Sequence, residues 1–112
     1  HSLIIPKRHV ERFENLTPEE SAAMMTMIKK VHAAHQQLYG ACSYLLLQKN
    51  GREVGQTVPH VHFHYIPRAL GSYSQLSILW HMIRAAHLTP PLSRKLLQQE
   101  AHTMRGALAI AT

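Results

Sequence analysis

The chain has 112 residues, 46% hydrophobic and 16% charged, with twelve Lys and Arg against six Asp and Glu for a formal net charge of +6. Its length suits one domain over 1–112 with a single modest core, and its composition is that of a soluble globular protein and excludes a disordered tail. No apolar stretch approaches bilayer-spanning length and no basic-then-apolar leader opens the chain, which argues against a membrane partner.

The basic balance favours anionic partners such as nucleotides or polyphosphates, while the dispersal of the cations argues against nucleic acid. One cysteine, Cys42, rules out an internal disulfide framework and suits a reducing, cytoplasmic setting; its place before an apolar run predicts packing. The chain opens on His1 rather than Met, so further residues are expected upstream. Ten histidines are the anomaly, and their placement decides the reading.

Ser2-Leu3-Ile4-Ile5, closed by Pro6, reads as the end of a strand, and Lys7-Arg8-His9 as a solvated turn. Thr17-Pro18-Glu19-Glu20 is a helix start: Thr17 caps, Pro18 suits the first helical position and Glu20 completes a capping box. Met24, Met27, Ile28, Val31 and Leu38 then fall on one apolar stripe that Gly40 ends, with His32 and His35 as surface or flank residues. Tyr44 to Lys49 reads as a strand, Asn50-Gly51 as a turn, and Thr57 to Pro67 as the next strand. The pair predicts a hairpin with a loop of about five to seven residues, Pro59 marking a bulge or the strand entry. Leu70 to Ser74 reads as loop, Leu76 to Ala86 as a helix stopped by Pro90-Pro91, and Leu92 to Leu108 as a second helix with Leu96, Leu97, Ala101, Met104 and Leu108 on one side. Strands and helices mix without regular alternation, so the fold class is α+β.

Alternate side chains of a strand share a face, so His60, His62 and His64 are expected in a row, roughly 6.5–7 Å between successive Cα atoms. Val61, Phe63 and Tyr65 then anchor the other face in the core. Three aligned imidazoles can hold a metal, because neutral histidine is a preferred zinc or copper ligand. The outer pair, about 13 Å apart on an ideal strand, makes two-histidine ligation easier than three. They can also do covalent chemistry, one imidazole attacking phosphorus while its neighbours orient it and manage protons. The loop Asn50 to Thr57 feeds straight into this row, and Gly55 lets backbone N–H groups approach an anion while Gln56 and Thr57 add neutral donors.

The run Gly55-Gln56-Thr57-Val58-Pro59-His60-Val61-His62-Phe63-His64 resembles the signature of the histidine triad (HIT) family, and His1 to His9 resembles its earlier strand. The likeness runs over nearly the whole chain, and Val10-Glu11-Arg12-Phe13 and Ile66-Pro67-Arg68 look most like the Fhit branch of dinucleoside polyphosphate hydrolases. It implies a HIT-like antiparallel sheet with one long helix packed on it and a C-terminal helix, in a homodimer. It also implies a nucleotide hydrolase or nucleotidyl transferase that cleaves at the α-phosphorus, acting on dinucleoside polyphosphates or nucleoside phosphoramidates. No cofactor is implied for the covalent step; a divalent metal enters only on the substrate.

By this resemblance His62 is the nucleophile, His64 contacts the α-phosphate and helps proton transfer, His60 orients the row, and His1 buttresses it. Gln56 and Thr57 hold phosphate oxygens or the leaving group. Lys49, followed by Asn50, stands where members place an asparagine or glutamine whose amide touches phosphate or leaving group. Lys49 there either serves a longer, more negative polyphosphate or points to solvent. The segment bearing ribose- and base-contacting residues is expected upstream of the 112 residues. Two other functions stay open at this point: a nucleotide-binding or scaffold protein in which the triad is a binding face, and a metalloprotein using the triad as ligands.

Overall fold

The long helix α1, Pro18–Tyr39, begins where its capping signal places it. Thr17 Oγ1 accepts from the Glu20 N–H at 3.2 Å, and Glu20 Oε2 accepts from the Thr17 N–H at 2.9 Å. Such a cap contributes about 1 kcal/mol. Glu20 also accepts two guanidinium bonds from Arg8, both at 2.8 Å, which tie the 7–9 turn, exposed as expected, to the helix start. The Arg8 bond, with the Thr17 N–H, holds the Glu20 carboxyl down from 4.5 to about 2. At the other end Gly40 stops the helix at φ +83°, a left-handed value that side-chain-bearing residues avoid.

The structure, a computed structural model, describes residues 1–71, 76–77, 79–80 and 92–110. The predicted helix from Leu76 to Ala86, its Pro90-Pro91 stop and the end of the predicted loop lie largely outside them. Strands β1 (Ser2–Ile4), β2 (Cys42–Gln48) and β3 (Phe63–Ala69) form one antiparallel sheet in the order β1-β3-β2. Leu3 and Leu47 both pair with His64, and Ser2 and Leu46 both pair with Tyr65. Alternation therefore gives two faces. One carries Ile4, Phe63 and Tyr65 and is packed against α1; the other carries Leu3, Leu47 and His64.

Ile4, Val10, Met24, Ile28, Val31, Val61 and Tyr65 make the core, with Leu16, Phe63, Met104 and Leu108 packed against it. Burying an apolar side chain of this size contributes roughly 1.5–3 kcal/mol. Met104 and Leu108 come from α2, Arg94–Ile110, which leans on α1. Within the predicted stripes, Met27 is 43% exposed while Ala34 is buried, and Leu96 and Leu97 stand out at 50% and 49%. The α+β class and the sheet-plus-two-helix arrangement match expectation. No helix among the described residues is long and apolar enough to cross a membrane.

The hairpin differs from its prediction. β2 starts at Cys42 rather than Tyr44, and β3 starts at Phe63 rather than Thr57, so the connection runs over 49–62. The reason lies in competing hydrogen bonds. The Gln56 N–H donates to Gly51 O at 3.0 Å and the Gly55 N–H to Arg52 O at 2.9 Å, closing a 3-10 turn over Arg52–Val54. Pro59 has no N–H to offer a ladder, and the Val61 N–H goes to Val10 O at 2.6 Å instead of to a strand partner.

Candidate active site

The delayed start of β3 changes the histidine row. Only His64 lies in the strand; His60 and His62 precede it in the segment tied to the 6–10 loop. Each ring is fixed differently. His60 Nδ1 accepts from the Val10 N–H at 3.3 Å, and its Nε2 donates to the Pro6 carbonyl at 3.2 Å. Both of its nitrogens are thus engaged by the loop. His62 Nδ1 lies 2.8 Å from the His60 carbonyl, which can only accept, so Nδ1 carries the proton and Nε2 carries the lone pair. Among the described residues nothing hydrogen-bonds that Nε2.

His64 stands beside it, with ring centroids 5.0 Å apart at 74°. Its Nδ1 is 2.9 Å from His1 Nε2. The contact follows from register: Leu3 pairs with His64, and His1, two residues earlier, shares that face. With His1 donating, His64 presents an Nε2–H.

Burial pushes the His64 imidazole below its ordinary 6.5, and the neighbouring His62 and Lys49 add to the effect. His64 is therefore neutral at neutral pH and takes a proton only on acidification. Titration followed by NMR of the ring resonances is expected to place the His64 midpoint below 6.5, and to raise it in Lys49→Gln; a midpoint above 6.5 contradicts this arrangement.

The loop residues divide. Lys49 is half-buried and its Nζ lies over Gly55, 3.3 Å from where a Cβ on that glycine would sit. Asn50 turns toward its own chain: its Oδ1 accepts from the Phe13 N–H at 2.8 Å and its amide pairs reciprocally with Gln48. Gln56 is buried, its Oε1 accepting from Gly51 N–H at 2.6 Å and its Nε2 donating to Glu11 O at 2.8 Å. In this structure that amide braces two loops. Thr57 is exposed at the approach to the triad. The structure therefore brings His1, His62, His64 and Lys49 together, and turns the His60 ring, Asn50 and Gln56 toward support.

Beneath the sheet lies a group that the sequence reading set aside. Tyr65 is fully buried, its hydroxyl 2.9 Å from His32 Nδ1 and 3.8 Å from Cys42 Sγ, while Cys42 Sγ is 3.5 Å from His35 Nδ1. His32 and His35 are half-buried contacts of the sheet, not ordinary surface residues. Their spacing carried the signal, since each follows a core residue, Ile28 or Val31, by one helical step of four. Among the described residues no group of three or more His, Cys, Asp or Glu side chains is disposed to hold a metal ion.

Comparison with known proteins places this geometry. A HIT domain is matched over residues 1–70, which contain every residue of the site. Asymmetrical bis(5'-nucleosyl)-tetraphosphatase of Schizosaccharomyces pombe is 36% identical over 80 residues, 71% of this chain and 44% of that protein. Adenosine 5'-monophosphoramidase hnt1 of the same organism is 40% identical over 80 residues, 71% of this chain and 56% of that protein. The crystal structure of the Caenorhabditis elegans NitFhit protein superposes with a TM-score of 0.73 at 31% identity, covering 94% of this chain and 21% of that one. The chain spans about half the length, or less, of the curated relatives it matches. With the triad, its strand and the preceding loop all inside the matched region, the chain belongs to the HIT domain family.

Proposed function

We propose that the chain is a nucleotide hydrolase or nucleotidyl transferase of the Fhit-like kind, cleaving at the α-phosphorus of dinucleoside polyphosphates or nucleoside phosphoramidates. The observation that carries it is the tautomer of His62, fixed by the His60 carbonyl so that an unengaged lone pair is presented at Nε2. That nitrogen attacks phosphorus; the N–P bond forms, the bond to the leaving group breaks, and its electron pair departs with that group. Water then attacks the phosphorus, the N–P bond breaks, the lone pair returns to Nε2, and a nucleoside monophosphate leaves.

His64, neutral and backed by His1, offers an N–H to a phosphate oxygen and a proton route to the leaving group. His60 acts through its carbonyl, Asn50 and Gln56 hold the loop in shape, and Thr57 meets the phosphate oxygens. The covalent step asks nothing of a metal, and a divalent cation accompanying a polyphosphate travels on the substrate. The relatives named for tetraphosphatase and monophosphoramidase activity support both substrate classes.

The reading further takes residues 1–112 as one cytoplasmic domain whose partner is a nucleotide, not nucleic acid or membrane, and which pairs as a homodimer. The edge strand β2, with Tyr44 44% and Leu46 38% exposed, supports the pairing. A second reading, nucleotide binding without turnover, draws support from the inward commitment of the Gln56 amide.

One experiment separates the two. The protein is incubated with α-labelled diadenosine polyphosphate and with labelled adenosine phosphoramidate, then quenched in base and in acid. The catalytic reading expects an acid-labile, base-stable protein adduct and released adenosine monophosphate. Binding of both compounds with neither adduct nor product would leave the binding reading standing alone.

A further inference from the structure

Lys49 stands where β2 ends. The ladder pairs Leu47 with His64 and closes at Gln48 with Phe63, so Lys49 follows on the face of His64, beside the point where the β3 side leads back to His62. Its stem lies across the loop at Gly55, where a Cβ would meet Nζ at 3.3 Å and Cδ at 3.9 Å. Gly55 has φ +83°, so the position favours glycine on conformational grounds as well, and the ammonium rests over bare backbone.

This cation is half-buried, and among the described residues it enters no ion pair. Of the neighbouring charges, Arg12 pairs with Glu14, and the Glu53 carboxylate acts on Arg12 only through its field. Glu53 also lies on the Gly51 side of the loop, 2.9 Å from where a Cβ there would sit. An ammonium with no carboxylate partner among the described residues is open to an anion arriving in the site. After burial and the neighbouring His62, the Lys49 charge also helps push the His64 imidazole down.

Resting on the nucleotidyl-transfer reading above, we propose that Lys49 makes the site selective for leaving groups that carry several negative charges. Its Nζ contacts the phosphates beyond the one that His62 attacks. When the N–P bond forms and the P–O bond breaks, the electron pair stays on the departing polyphosphate oxygen, where the ammonium stabilises it. A phosphoramidate departs instead as an amine that must gain a proton, and a fixed cation gives that step nothing. The chain is therefore a polyphosphate-preferring member of its family.

The test compares wild type, Lys49→Gln and Lys49→Arg on diadenosine tetraphosphate and on adenosine phosphoramidate, with binding of inorganic tripolyphosphate measured by calorimetry. Lys49→Gln is expected to lower kcat/KM for the tetraphosphate by roughly 10–100-fold more than for the phosphoramidate, the range for losing a bond to a charged group. Tripolyphosphate binding weakens about tenfold or more in the same variant, and Lys49→Arg restores most of both effects. Equal losses on the two substrates, or unchanged tripolyphosphate binding, would overturn the proposal. If wild type turns over neither substrate while tripolyphosphate binding still depends on Lys49, the polyphosphate contact stands and the transfer reading falls.

Discussion

Replacing His62 with alanine is expected to lower kcat by about 10⁴-fold or more, while nucleotide affinity stays within a few-fold. The size of the effect follows from what the other imidazoles are doing. His60 has both ring nitrogens engaged, by the Val10 N–H and the Pro6 carbonyl. His64 has its Nδ1 on His1. Of the three triad imidazoles His62 alone combines a fixed proton on one nitrogen with an unengaged lone pair on the other, so neither His60 nor His64 takes over the attack. His62→Asn refines the test, because its amide N–H can still reach the His60 carbonyl while the nucleophile is gone. Steady-state turnover of diadenosine polyphosphate and binding of a non-hydrolysable analogue are the two measurements. Full activity in either variant removes His62 from the role of nucleophile.

How far the sequence carried this site depends on the range of the forces that build it. The capping box, the α1 stop at Gly40 and the period-two alternation that buries Val61 and Tyr65 are local, and each was legible. The entry into β3 was not, because it is decided by partners far along the chain: the Val61 N–H is taken by Val10 and the His60 ring by Pro6 and Val10. A row of three equivalent imidazoles therefore became three differently held ones. Gln56 is the same lesson in one residue. Its glycine-flanked place in the loop reads as an anion donor, yet Glu11 and Gly51 claim its amide once the loops are packed. His32 and His35 make the opposite case, flank residues by their spacing that prove to be contacts of the sheet. Their helical spacing did place them on the flank that meets the sheet, but a histidine there is indistinguishable from a surface one until Tyr65 and Cys42 are seen opposite.

Tyr65 carries the largest expected stability effect. It is fully buried, lies one residue from His64, and is paired on both sides, with Ser2 of β1 and Leu46 of β2. Truncation to alanine empties a ring-sized volume between the sheet and α1 and is expected to cost about 3–5 kcal/mol in urea unfolding. Tyr65→Phe keeps the ring and removes the hydroxyl, leaving His32 Nδ1 without that partner, and is expected to cost about 1–3 kcal/mol. A pH series separates packing from hydrogen bonding. Burial, then the bond to Cys42, raises the Tyr65 hydroxyl above its ordinary 10.0. The unfolded chain therefore loses that proton first as pH climbs past 10, and the stability tied to the protonated hydroxyl is present below that pH and lost above it. Wild type should lose stability more steeply than Tyr65→Phe above pH 10, the two curves running parallel below it. Because β3 carries His64 immediately before this residue, kcat in Tyr65→Phe should remain close to wild type while Tyr65→Ala loses activity along with the fold. An alanine variant within about 1 kcal/mol of wild type would show that the strand is not held from beneath in this way.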